Sequence, residues 1–186
     1  AVQVFLVVGG YLAGQSVISK PVHHPFALIA KRYLRLVPFY IFALTLITLA
    51  VAVSHHTIQS DWLPMAPTWL QFLSHGLLVN DLFGFEALTS GAWYIAIDWQ
   101  LYSVLAILFV SFPRYQALIW LVSVLAVSSL LFFNRSGDYE AYFIYFIGSY
   151  GLGVLAYLAS RFEDIGVQRL AKVALILIGL IIAATS

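Results

Sequence analysis

The sequence predicts an all-α, polytopic transmembrane helix bundle, and three observations support this fold class. The 186-residue chain is 62% hydrophobic and only 9% charged, whereas soluble domains carry about 25% charged residues. Its apolar residues form runs of about 20, the length that crosses a bilayer. These runs lack the polar face of a helix in a soluble bundle. The composition and the net charge of +1 therefore disfavour a soluble enzyme, a disordered chain and a nucleic-acid partner.

Each predicted span is a mainly apolar run close to the required length. The runs are residues 1–19, 36–54, 92–113, 115–134, 141–160 and 173–186. Asp98 is the only charged residue in the interior of a span. The sixth run is short, and Ala1 already lies within an apolar run, so we interpret the sequence as a fragment of a longer protein. We expect one transmembrane domain over residues 1–186, with about six spans.

The stretch from Trp62 to Asn80 is ambiguous, because it is free of charge but contains two prolines and His75. The nine Lys and Arg residues decide the case, since they favour the cytoplasmic side. If the stretch does not span, eight lie on one side and only Arg135 on the other; if it spans, the division is five against four. We therefore predict a basic cytoplasmic loop at residues 20–35 and an outer loop at 55–91 that contains an interfacial or re-entrant segment.

Two short patterns accompany the first two predicted spans, one inside the first and one just before the second. Gly10 and Gly14, on either side of Tyr11, share one helix face and allow close helix packing. Arg32 and Arg35, with Lys31 beside them, also share a face. Two guanidinium forks on one face suit a phosphate or pyrophosphate. A basic anchor at the end of a span explains the same spacing equally well.

A carboxylate inside a span is costly, so Asp98 is expected to face the bundle interior or a wet cavity. Tyr94 and Tyr102 lie four residues before and after it, on the same helix face. An aspartate flanked by two phenols, with Trp93 nearby, predicts either the wall of a functional site or a buried polar brace. We favour the site. We predict no metal site, because the chain has no cysteine and its histidines lack metal-ligand spacing.

In this order, the patterns resemble the acyltransferase-3 family of multi-pass membrane acyltransferases. The first match is the stretch from Phe5 to Tyr11. The second is an Arg-x-x-Arg pattern that precedes a proline, formed by Arg32, Arg35 and Pro38. The third consists of Trp93, Asp98 and Tyr102. Gly9 stands where the family usually has Ser, and Asp98 replaces the usual Glu. The family's presumed catalytic His lies on a span before this sequence.

The resemblance implies an O-acyltransferase that moves an acyl group, in most members acetyl, from acyl-CoA to a hydroxyl of a carbohydrate or cell-envelope glycan. It implies that Arg32, Arg35 and Lys31 bind the donor at the cytoplasmic side. Asp98, with Tyr102 and Trp93, would act near the outer half of its span. The expected partners are membrane lipid, acyl-CoA as a substrate and a carbohydrate acceptor, with no resident cofactor. The expected location is a bacterial inner (plasma) membrane.

Two other classes of function fit the residues alone. A secondary transporter would use Asp98 as an intramembrane ion or proton site. A non-catalytic membrane scaffold would use the same carboxylate only as a brace. Uptake into vesicles without an acyl donor would indicate the transporter, and absence of donor binding would indicate the scaffold.

Overall fold

The computed structural model describes residues 2–18, 24–57, 68–89 and 91–185. This part of the chain is 85% helical and contains no strand, which confirms the all-α membrane bundle. Its helices are α1 (Val2–Ile18), α2 (Pro25–Thr57), α3 (Trp69–Gly76), α4 (Ala92–Ser111), α5 (Tyr115–Leu131), α6 (Phe143–Arg161) and α7 (Ile165–Thr185). All except α1 and α3 are long and apolar enough to cross a membrane.

Helices α4, α5 and α6 agree with the predicted spans to within a few residues, but two predicted boundaries are wrong. Helix α2 begins at Pro25 rather than at residue 36, so most of the predicted basic loop is helical. Helix α7 begins at Ile165 rather than at residue 173, and its 21 residues make a full-length candidate span. Hydropathy marks where an apolar run begins, whereas a helix continues through basic residues whose long side chains reach the interface. Proline also suits the first turn of a helix.

The chain divides into two compact units. The first contains residues 1–29 and 100–186, and the second contains residues 30–99. In the first unit, α6 is the central element, because α1, α5 and α7 all pack against it. Most residues of α6 are buried, including its run from Phe146 to Gly151.

The interface between α1 and α6 depends on glycines from both helices. A Cβ atom on Gly10 would overlap the carbonyl oxygen of Tyr150, and one on Gly153 would overlap the carbonyl oxygen of Val7. Only glycine therefore allows the two backbones to approach this closely. Gly14 packs less tightly, since its Cβ would lie 3.3 Å from the ring of Tyr157. The predicted packing role of the glycines on α1 is confirmed.

In the second unit, the short helix α3 is fixed at its start by a capping box. The Thr68 hydroxyl accepts a hydrogen bond from the backbone N–H of Gln71, and Gln71 Oε1 accepts one from the backbone N–H of Thr68. Gln71 Nε2 also donates to the carbonyl of Glu86 at 2.9 Å. These bonds hold α3 against the segment that leads to α4.

His75 completes the attachment of α3 to that segment. Its side chain is fully buried, Nδ1 lies 2.9 Å from the Gln71 carbonyl, and Nε2 accepts from the Leu88 amide at 3.0 Å. The bonds assign a neutral imidazole with its proton on Nδ1. With eight residues, α3 is too short to cross a bilayer alone. This length fits the predicted re-entrant or interfacial segment, of which residues 62–67 lie outside the described part.

We expect Gly10→Ala and Gly153→Ala to lower the free energy of unfolding by about 1–3 kcal/mol each, because each added methyl overlaps backbone of the facing helix. The measurement is reversible unfolding in mixed micelles. Gly179→Ala is the control, since its Cβ meets nothing within 4 Å and alanine favours a helix by about 0.5–1 kcal/mol. Equal losses of unfolding free energy for all three variants would contradict the prediction that Gly10 and Gly153 allow the close contact between α1 and α6.

Candidate active site

An ion pair between Arg32 and Asp98 is the centre of the candidate site. Arg32 Nη2 donates to Asp98 Oδ2 at 2.6 Å, and Arg32 Nε donates to the same oxygen at 3.2 Å. The side chains are only 22% and 9% exposed, respectively. A partly buried charge is costly unless an opposite charge compensates it. The guanidinium supplies that compensation, and the pair joins α2 to α4 within one compact unit.

This contact corrects one expectation from the sequence. Arg32 was expected at the cytoplasmic side and Asp98 near the outer half of its span, which would keep them apart. They are instead in direct contact. The physical reason is the early start of α2, which places Arg32 in the third turn of a helix instead of in a loop. There the arginine can reach the carboxylate on the neighbouring helix.

Aromatic side chains flank the ion pair in the same unit. The ring of Tyr33 contacts that of Trp99 edge to face, with centroids 6.0 Å apart, and its hydroxyl donates to the carbonyl of Gly76 at 2.7 Å. Tyr94 lies four residues before Asp98, on the same face of α4. Trp93 lies edge to face with Tyr94, with centroids 5.9 Å apart. Tyr33 therefore links the end of α3 to the helix that carries Arg32.

Sequence reasoning missed Tyr33 and Trp99 as parts of this site. Each is the immediate neighbour of a member of the pair, so its place in the sequence was a usable signal. Residues three or four apart share a helix face, whereas adjacent side chains leave a helix about 100° apart. A search at that spacing therefore overlooks the immediate neighbours of Arg32 and Asp98. Tyr33 and Trp99 contact each other because α2 and α4 face each other.

Tyr102 belongs to the other compact unit. It is almost fully buried, and its hydroxyl lies 3.5 Å from Ser16 Oγ on α1. The carboxylate of Asp98 is compensated by Arg32. In the described part of the chain, Asp98 Oδ1 has no hydrogen-bond partner.

Lys31 and Arg35 carry exposed positive charge beside the ion pair. They are four residues apart on α2, so they share a helix face. Neither has an ion-pair partner among the residues that the structure describes. An apolar groove of about 370 Å³ begins at Arg35 and is lined by Phe39, Ala43 and Ile95, among others. Arg35 and Ile95 each lie one turn from a member of the pair, so the groove borders it.

The remaining motif residues have structural positions. Tyr11 contacts the ring of Tyr157 edge to face, with centroids 5.5 Å apart. Pro38 lies inside α2, where it removes one backbone donor from the helix. The described residues contain no group of three or more His, Asp or Glu side chains that could hold a metal ion.

These observations define a class, namely a polytopic membrane protein with a partly buried charged pair between two of its helices. A comparison with family models then matches the acyltransferase-3 family, whose model is described as an acyltransferase domain, over residues 1–186. The match covers the whole chain, so the chain belongs to this family and is an integral membrane acyltransferase. No curated protein and no solved structure matches it.

Proposed function

We infer that this acyltransferase moves an acyl group, acetyl in the simplest case, from acyl-CoA to a hydroxyl of a carbohydrate or cell-envelope glycan. The observation that carries the proposal is the Arg32–Asp98 pair, with two exposed cations, Lys31 and Arg35, within one turn of Arg32 on α2, in a chain of this family. In the reaction, the acceptor oxygen forms a bond to the acyl carbon and the carbon–sulfur bond breaks. The hydroxyl proton passes to a base, and coenzyme A leaves as the thiol. The family resemblance assigns the base to a histidine outside this sequence.

Asp98 is proposed to orient the group that gains or loses this proton. Its Oδ2 is held by Arg32, which fixes the carboxylate, while Oδ1 can accept a hydrogen bond from the acceptor hydroxyl or from the histidine. Arg32 acts through Asp98 and is therefore a positioning residue. Tyr94, one turn before Asp98, and Trp93, which packs against Tyr94, form the aromatic wall of the proposed site. Such a role fits a carboxylate that is held in place and has one unused oxygen.

The donor phosphates are proposed to bind Lys31 and Arg35. Like charges four residues apart on a helix repel by about 0.2–0.5 kcal/mol, and neither side chain is neutralised within the described part of the chain. A polyanion such as the phosphates of coenzyme A would remove this repulsion. The groove that begins at Arg35 could then hold the acyl end of the donor beside the ion pair.

The cellular setting is part of the same proposal. Positive charge at the start of α2 fits a cytoplasmic donor, and a bacterial inner membrane would separate that donor from an acceptor at the outer face. The ion pair weakens the transporter alternative, because Asp98 already has a fixed protein cation as its partner. Carbohydrate, acyl-CoA and membrane lipid remain the proposed partners.

We expect Lys31→Gln and Arg35→Gln each to weaken acetyl-CoA binding by about 1.5–3 kcal/mol, because each loses a charge-assisted hydrogen bond to a phosphate. Calorimetric titration of the protein in nanodiscs measures this. Arg114→Gln is the matched control, since Arg114 is also an exposed arginine but lies at the start of α5. An equal loss of acetyl-CoA affinity in the control would mean that the protein attracts the donor only through its overall positive charge.

We expect Asp98→Asn to lower the rate of acetyl transfer by roughly 10²–10⁴-fold, the range for loss of a partner in proton transfer. Acetyl-CoA binding should persist, because the cations at the start of α2 are unchanged. Asp98→Glu, which restores the family's usual acid, should keep partial activity. Full turnover in Asp98→Asn would remove this residue from the active site and favour the brace.

A further inference from the structure

A groove on the second compact unit contains the elements of a carbohydrate-binding site. Its volume is about 440 Å³, within the range of small-ligand pockets of roughly 300–1,000 Å³. One wall is the α2 segment around Thr45 and Thr48, and the other is the start of α3. The lining residues are Thr45, Thr48, Leu49, Thr68, Trp69 and Phe72. None of these described side chains is charged, and apolar surface predominates, so the lining favours a neutral ligand with an apolar face.

Two threonine hydroxyls of the groove offer complementary hydrogen bonds. Thr45 Oγ1 donates to the Ile41 carbonyl at 2.8 Å, so its lone pairs can still accept. Thr68 Oγ1 accepts from a backbone amide at 3.2 Å, so its proton can still be donated. A sugar hydroxyl both donates and accepts, so it can bond to both.

The aromatic wall of the groove is flat and rigidly held. Trp69 is 77% exposed, and its ring stacks on Phe72, with centroids 6.2 Å apart and an interplanar angle of 16°. Phe72 in turn packs against the buried core of the unit. The capping box at Thr68 fixes the turn that carries Trp69. An exposed indole held in this way can stack on the apolar face of a sugar ring.

The groove is separated from the ion pair along the same helix. Thr45 lies 13 residues after Arg32 on α2, which corresponds to about 20 Å at 1.5 Å per residue. One sugar ring cannot occupy both positions. A ring in the groove would therefore be a different unit of the glycan from the ring whose hydroxyl reacts.

We propose that this groove is a remote acceptor subsite, which binds one sugar unit of an extended glycan while another unit reacts near Asp98. The proposal rests on the proposed function and narrows its acceptor to an oligosaccharide or a longer chain. Among the described residues, the groove offers no cation to a phosphate-headed lipid, and a lipid acyl chain would make no use of the Thr45 and Thr68 hydroxyls.

The test measures binding of neutral oligosaccharides to the protein in nanodiscs by saturation-transfer NMR. The probes are six-unit oligomers of glucose, rhamnose and N-acetylglucosamine, each with its monosaccharide. The wild type is expected to bind at least one hexamer. Trp69→Ala should weaken that binding about tenfold, the effect of losing an aromatic stacking contact. Thr45→Val should weaken it about fivefold through one lost hydrogen bond, and Trp69→Tyr should keep part of the affinity that Trp69→Ala loses.

Trp120→Ala is the matched control, because Trp120 is another exposed tryptophan, at 57%, but lies on α5 in the other compact unit. Its hexamer binding should equal that of the wild type. The proposal fails if no hexamer binds the wild type or if Trp69→Ala binds the hexamer like the wild type. It also fails if Trp120→Ala loses as much affinity for the hexamer as Trp69→Ala does. Acetyl transfer to short acceptors would persist in those cases if the proposed function is right, so the two failures are distinguishable.

Discussion

The second compact unit depends on one electrostatic requirement, which is that the carboxylate of Asp98 must be compensated inside an apolar helix. Arg32 meets it with two hydrogen bonds to one oxygen. An exposed ion pair contributes at most about 1 kcal/mol to stability. Removing one partner of a buried pair costs about 3–5 kcal/mol, because the other charge is left buried without a partner. The pair therefore fixes the register of α2 against α4 and sets which residues border the site.

Two consequences follow from that register. Lys31 and Arg35 are left as exposed cations beside the pair, where the proposed acyl-CoA donor would bind. The C-terminal half of α2 extends away from the pair, and there it lines the groove that contains Thr45, Thr68 and Trp69. Helix α3 can form that wall despite its eight residues, because the capping box at Thr68 and the imidazole of His75 hold it in place. The proposed donor site and the proposed sugar site thus occupy separate parts of α2.

The sequence predicted those features that depend on local composition. Apolar runs placed α4, α5 and α6 within a few residues, and the spacing of Gly10 and Gly14 predicted close helix packing. The start of α2 was wrong, because hydropathy cannot distinguish basic residues in a helix from basic residues in a loop. The same error separated Arg32 from Asp98. Their contact spans 66 residues, and no rule of local spacing contains such a pair. The groove at Trp69 was not predicted for the same reason.

A double-mutant cycle on Arg32 and Asp98 tests the central claim most directly. The free energy of unfolding in mixed micelles is measured for the wild type, Arg32→Gln, Asp98→Asn and the double variant. Two groups in direct contact should show a coupling free energy of about 1–3 kcal/mol, with the double variant losing less than the sum of the single variants. Losses that add to within about 0.3–0.5 kcal/mol would mean that the residues do not interact, and the site built on this pair would then be wrong.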